Sequence, residues 1–125
     1  MKKKILTMLL AVAMICTLII GSASAASVSK THEGYTAIGV LNWNSNNNGA
    51  YATSSYGTIA DYLYARVVYT YTINGATRST PGTNSGYSVQ SISASASMAG
   101  STKSSASSTH IFTENGSTWT TYLYL

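Results

Sequence analysis

Cysteine, charge and catalytic motifs are all scarce in this chain, and each scarcity removes a class of protein. The one cysteine, Cys16, falls inside an N-terminal apolar run, so the rest of the chain has neither a disulfide framework nor thiolate ligands for a metal. Charged residues make up only 8%. Lys2, Lys3 and Lys4 precede the apolar run, and beyond it Lys30, Arg66, Arg78 and Lys103 stand against Glu33, Asp61 and Glu114. The formal net charge of +4 therefore describes the leader more than the domain. No basic stripe remains, and nucleic acid is not an expected partner.

For acid–base or metal chemistry the chain beyond its leader offers only His32, Glu33, Asp61, His110 and Glu114. No G-x-S-x-G elbow, H-E-x-x-H pair or phosphate-binding glycine loop occurs. Serine is so common that a Ser–His–Asp set can be drawn almost anywhere and identifies nothing. No catalytic residue, metal site or cofactor is expected, and the chain is not expected to be an enzyme. His32 and Glu33 fall in a polar stretch expected to fray, and Asp61 and Glu114 beside turns. His110 is expected opposite Thr121, on the face bearing Phe112 and Trp119, as a half-buried histidine bonded to a hydroxyl.

The first residues read as a secretory signal. A basic start, the apolar run Ile5 to Ile20 and the A-x-A sequence Ala23-Ser24-Ala25 predict cleavage after Ala25 or Ala26. The run is shorter than the roughly 20 apolar residues that span a bilayer, so no membrane span is expected after cleavage. Residues 1–25 are thus assigned to the signal, 26–34 to a flexible N-terminus and 35–125 to a single domain. Absence of disulfides together with this leader points to an exported bacterial protein, extracellular in location.

What the chain does have is tyrosine, ten of them, and long alternating segments. From Ile59 to Ile73 there is no Gly or Pro, and Val, Ile, Tyr and Thr dominate, as on a pleated, half-buried surface. At period two, Leu63, Ala65, Val67, Tyr69, Tyr71 and Ile73 share one face. Tyr62, Tyr64, Arg66, Val68, Thr70 and Thr72 share the other. This predicts a long strand central to its sheet. Tyr35 to Trp43 and Ala50 to Tyr56 read as strands, Asn44 to Gly49 as a loop, and Gly57-Thr58 as a tight turn.

Asn74-Gly75 and Asn115-Gly116 predict two-residue hairpin turns. They place Tyr71 opposite Arg78 and Phe112 opposite Trp119. Asn115-Gly116-Ser117 also fits a glycosylation acceptor, but serves here as turn chemistry. Ser79 to Gly86, which holds the only proline, reads as a loop. In Tyr87 to Met98 the apolar phase shifts, and a bulge near Gln90 or Ser91 would repair it. Ala99-Gly100 turns the chain into a last hairpin that ties the C-terminus into the sheet. The expected fold is all-β, a small antiparallel β-sandwich or barrel of about six to seven strands.

With ionisable groups so few, function is expected on the surface. Tyr62, Tyr64, Arg66, Tyr122 and Tyr124 fall opposite the core faces, where rings can stack sugars or dock a partner. The leading expectation is a non-catalytic extracellular or cell-surface binding protein whose partner is a cell-wall glycan or a cell-surface protein. Two alternatives stand beside it. In layout, a cleaved leader, a small cysteine-free β domain and an aromatic C-terminal strand, the chain is similar to lactococcin-type bacteriocins, a likeness that implies a secreted toxin. Low charge and strand-rich Ser/Thr/Tyr segments suggest instead self-association as the subunit of an extracellular fibre or matrix.

Overall fold

The computed structural model describes residues 25–125, so the signal assigned to 1–25 lies, apart from Ala25, outside the described residues. Six antiparallel strands follow one another: β1 (Ala25–His32), β2 (Tyr35–Trp43), β3 (Gly49–Ile73), β4 (Ala76–Ser97), β5 (Thr102–Glu114) and β6 (Ser117–Tyr124). Their order in the sheet is β1-β2-β3-β5-β6, with β4 also paired to β3. The result is a nearly closed barrel, all-β as the alternation predicts.

Both Asn-Gly pairs make two-residue turns with positive φ at each residue: 50° and 76° at Asn74 and Gly75, 51° and 73° at Asn115 and Gly116. This backbone matches the right-handed twist of the flanking strands, which is why the pair sets register so firmly. Tyr71 lies opposite Arg78 and Phe112 opposite Trp119, as expected. The Phe112 and Trp119 rings stack at 5.2 Å. Tyr71 turns inward and stacks on Tyr69, also at 5.2 Å.

Three expectations are corrected. Residues 26–34 are not a flexible end: β1 pairs with β2 along its whole length, and Glu33-Gly34 makes a third turn of the same kind, with φ of 49° and 82°. Ala26 packs against the core and His32 is buried, so the strand is held from inside while its outward residues stay polar. Ser79 to Gly86 is not a loop but the first half of β4, paired with β3 from Ile73–Ala76 through to Tyr62–Tyr87. Its loop-like composition yields to the ladder that the long apolar strand offers. Pro81 is tolerated because β4 pairs along one edge only.

Gly57-Thr58 does not reverse the chain, since β3 runs straight through it for 25 residues. Ser55 pairs with Ser91 and Ala60 with Val89, so Tyr56 to Ile59 oppose the single residue Gln90. The irregularity expected near Gln90 or Ser91 is there, but the extra residues belong to β3. Ser88, at φ 52°, turns the facing strand. Continued pairing with β4 on both sides of this corner keeps the two strands together as one bent ribbon.

That bend makes two layers. One holds β1, β2, the start of β3 and the end of β4. The other holds the start of β4, the end of β3, β5 and β6. Where the ribbon doubles over, Gly82 meets the main chain of Ser95 so closely that a Cβ on it would lie 1.9 Å from the Ser95 carbonyl oxygen. Beside it Asn84 Nδ2 donates to the Ser93 carbonyl at 3.0 Å and satisfies part of the β4 edge. On the far side β1 and β6 meet without a ladder. His32 Nε2 bonds the Ser117 carbonyl at 3.0 Å, and Lys30 Nζ sits 5.5 Å from the Trp119 ring centre.

Small residues line the inner faces. Ala50, Ala52, Ala94 and Ala96 of the first layer meet Ala65, Val67, Tyr69, Tyr71 and Ala106 of the second, with Leu41 beside them. A second cluster, Ala37, Tyr56, Ala60, Leu63 and Phe112, fills the end nearest the bend. The Tyr tips are satisfied, Tyr69 Oη by Ser101 Oγ at 2.9 Å and Tyr56 Oη by the His32 carbonyl. Alternation along β3 decides which substitutions matter. Val67 has no exposed surface, and Val67→Asp places an unpaired charge between the layers; in urea unfolding this variant should be unfolded or nearly so. Arg66→Ala, one residue away on the outer face, should change the unfolding free energy by no more than about 0.5 kcal/mol.

Candidate functional site

The outer face of the second layer is built by register alone. Its rows across β4, β3, β5 and β6 read Tyr87, Tyr62, Thr113, Thr118; then Ser85, Tyr64, Ile111, Thr120; then Thr83, Arg66, Thr109, Tyr122; then Pro81, Val68, Ser107, Tyr124. The five surface residues expected from the sequence therefore come together on one side of one sheet. Tyr62 and Tyr64 are half-buried, Arg66 is exposed, and Tyr122 and Tyr124 are 58% and 72% exposed.

Sequence reasoning missed Tyr87, the most exposed of these rings at 79%. It pairs with Tyr62 at 5.0 Å between ring centres. A signal for it existed: the register that sets Tyr71 opposite Arg78, carried on along the hairpin, sets Tyr62 opposite Tyr87. Threonine and serine hydroxyls fill the spaces between rings, and some pair across strands, Thr113 with Thr118 at 2.9 Å and Thr70 with Ser79 at 3.0 Å.

His110 is a different matter. It faces inward, has no exposed surface, and stands against Gly39 of β2, where a Cβ would come within 2.8 Å of the imidazole. The sequence predicts it half-buried; closure of the two layers buries it fully. Ser54 Oγ donates to the Tyr64 carbonyl at 2.8 Å, so it can only accept from His110 Nδ1–H at 2.9 Å. The bare Nε2 then accepts from Ser108 Oγ at 2.8 Å. Both nitrogens are thus occupied by serine. Burial pushes its pKa from 6.5 down to about 4.

The remaining ionisable groups gather at the bent end, which no local sequence pattern announces. His32, Tyr56, Asp61 and Glu114 are far apart in sequence and adjacent in space. Tyr56 lies edge-on to His32, with ring centres 6.4 Å apart, and burial, then the charge of Glu114, pushes its hydroxyl up to about 12. Glu114 is raised above the ordinary carboxylate range, first by burial and then by the charge of Asp61 and a hydrogen bond with it. Asp61 Oδ2 accepts the Asn115 N–H at 2.8 Å and so braces the β5–β6 turn. Among the described residues no three His, Cys, Asp or Glu side chains stand where they could share a metal ion.

Fold and site together define a small, nearly closed antiparallel barrel with His110 locked inside and Tyr62, Tyr64, Tyr87, Tyr122 and Tyr124 on one outer face. Set against protein-family models, curated proteins and solved structures, the chain matches none.

The buried imidazole makes stability depend on pH. An unfolded chain takes up this proton near pH 6.5 and the folded one only near 4. Below 6.5 the unfolded state binds more protons, so stability should fall as pH drops across that window, by as much as about 3 kcal/mol. Glu114, raised in the fold, works in the opposite direction. His110→Gln keeps a hydrogen-bonding side chain without the titration, and its urea midpoints between pH 7 and 4 should therefore decline less steeply than those of the wild type.

Proposed function

We propose that this chain is a small secreted protein that binds a target outside the cell through its outer tyrosine face and performs no catalysis. The observation that carries this reading is the gathering of Tyr62, Tyr64, Arg66, Tyr122 and Tyr124 on one exposed sheet face. Amphipathic rings with few rotatable bonds lose little conformational freedom on binding and suit such a role. The seclusion of His110 supports the second half of the reading, because both its nitrogens are engaged by serines away from solvent. Export is supported by the basic, apolar and small-residue segments that precede residue 26. Against a fibre built by strand addition stands Pro81, which interrupts the unpaired edge of β4.

Isolated cell walls, probed by co-sedimentation, provide the test. Changing Tyr62 and Tyr64 together to Ser should weaken binding at least tenfold, a loss of about 1.4 kcal/mol. Single changes of His32, Glu33, Asp61, His110 or Glu114 to Ala or Gln should leave binding within a few-fold in any variant that folds. A folded variant of one of those five that no longer binds, beside a silent double Tyr change, would overturn the reading.

A further inference from the structure

Arg66 is the one charged side chain among the four rows of the outer face, and it is exposed. Among the described residues it makes no ion pair or hydrogen bond, and neither of the outward-facing residues paired with it, Thr83 and Thr109, carries charge. The acidic side chains lie elsewhere: Asp61 and Glu114 are engaged with each other at the bent end, and Glu33 is in the β1–β2 turn. The field over this face is therefore that of a single cation without an opposing carboxylate.

What surrounds it narrows the ligand. Tyr64 is the next outward residue along β3, two residues away and so roughly 7 Å off, and Tyr122 shares the Arg66 row two strands away, roughly 10 Å off. Tyr62 continues the line. The gaps carry threonine hydroxyls. Flat rings and hydroxyls at this pitch suit a chain of pyranose rings, each with one apolar face and a rim of hydroxyl groups. One arginine falls far short of the several cations that nucleic acids and anionic membranes require. It is enough for one carboxylate or phosphate, which the planar guanidinium can hold with two parallel hydrogen bonds.

We infer that the outer face binds an acidic polysaccharide, with Arg66 holding an anionic group of the chain while Tyr62, Tyr64 and Tyr122 take the faces of neighbouring sugar rings. The inference rests on the binding-surface reading above and specifies its ligand. Arg66 then confers preference for charge, and the tyrosines confer affinity for sugar of either kind.

Polygalacturonate and its methyl ester carry the same sugar with and without the carboxylate, and binding of the protein to each can be compared by calorimetry. The wild type should prefer the acid at least tenfold, and the preference should shrink as NaCl is raised. Arg66→Gln should abolish the preference, so that acid and ester bind alike. Tyr62→Ser with Tyr64→Ser should weaken binding to both polymers, with thermal melts confirming that each variant is folded. Equal binding of acid and ester, or a preference that survives in Arg66→Gln, would overturn the role of Arg66 while leaving the tyrosine surface standing. Failure to bind either polymer, with wall binding still dependent on Tyr62 and Tyr64, would overturn the polysaccharide and keep the surface. Binding to vesicles of equal phosphatidylglycerol and phosphatidylcholine in place of both polymers would also overturn the polysaccharide. If the double Tyr change is silent on walls and polymers alike, both readings fall.

Discussion

Gly82 lies against the main chain of Ser95, and the distance leaves no room for a methyl group. That contact lies in a hairpin folded over on itself, in which β3 and β4 stay paired through a corner and so belong to both layers at once. Close approach here sets the spacing of the interior. Alanines on both inner faces then suffice to fill it, and a few tyrosines supply the bulk that alanine lacks. β1 and β2 complete one layer and β5 and β6 the other. Their free edges meet across the barrel at His32 and Ser117 rather than in a ladder.

A consequence is the division of the interior into two apolar clusters with a polar layer between them. Ser54, His110 and Ser108 form that layer, and Gly39 provides the hollow into which the imidazole fits. Each polar atom has a partner, so the layer specifies how the two halves align without leaving a buried group unsatisfied. The arrangement favours the neutral ring, because burial between the layers penalises the charged one. Interior and bent end together absorb both histidines, Asp61 and Glu114. The outer face of the second layer is left largely to hydroxyls, tyrosine rings and one arginine, and the proposed binding surface rests on that division.

Features that depend on neighbours in the chain were legible in the order of residues. Asn-Gly pairs demand two successive residues at positive φ, and that demand fixed two hairpins, their registers and the Phe112–Trp119 pair. Alternation from Leu63 to Ile73 separated the buried face of β3 from the face bearing Tyr62, Tyr64 and Arg66. Features that depend on distant partners emerged only when the layers closed. Residues 25–32 and 79–86 have the composition of frayed or looping chain, and they are strands because long apolar neighbours offered them ladders. Gly57 lost its turn because both halves of β3 keep the same partner across the corner. The enclosure of His110 and the gathering of His32, Tyr56, Asp61 and Glu114 required chain segments tens of residues apart to meet. Local residue preferences are weak and short in range, while burial between layers is set by the whole fold, so the tertiary structure prevailed wherever the two disagreed.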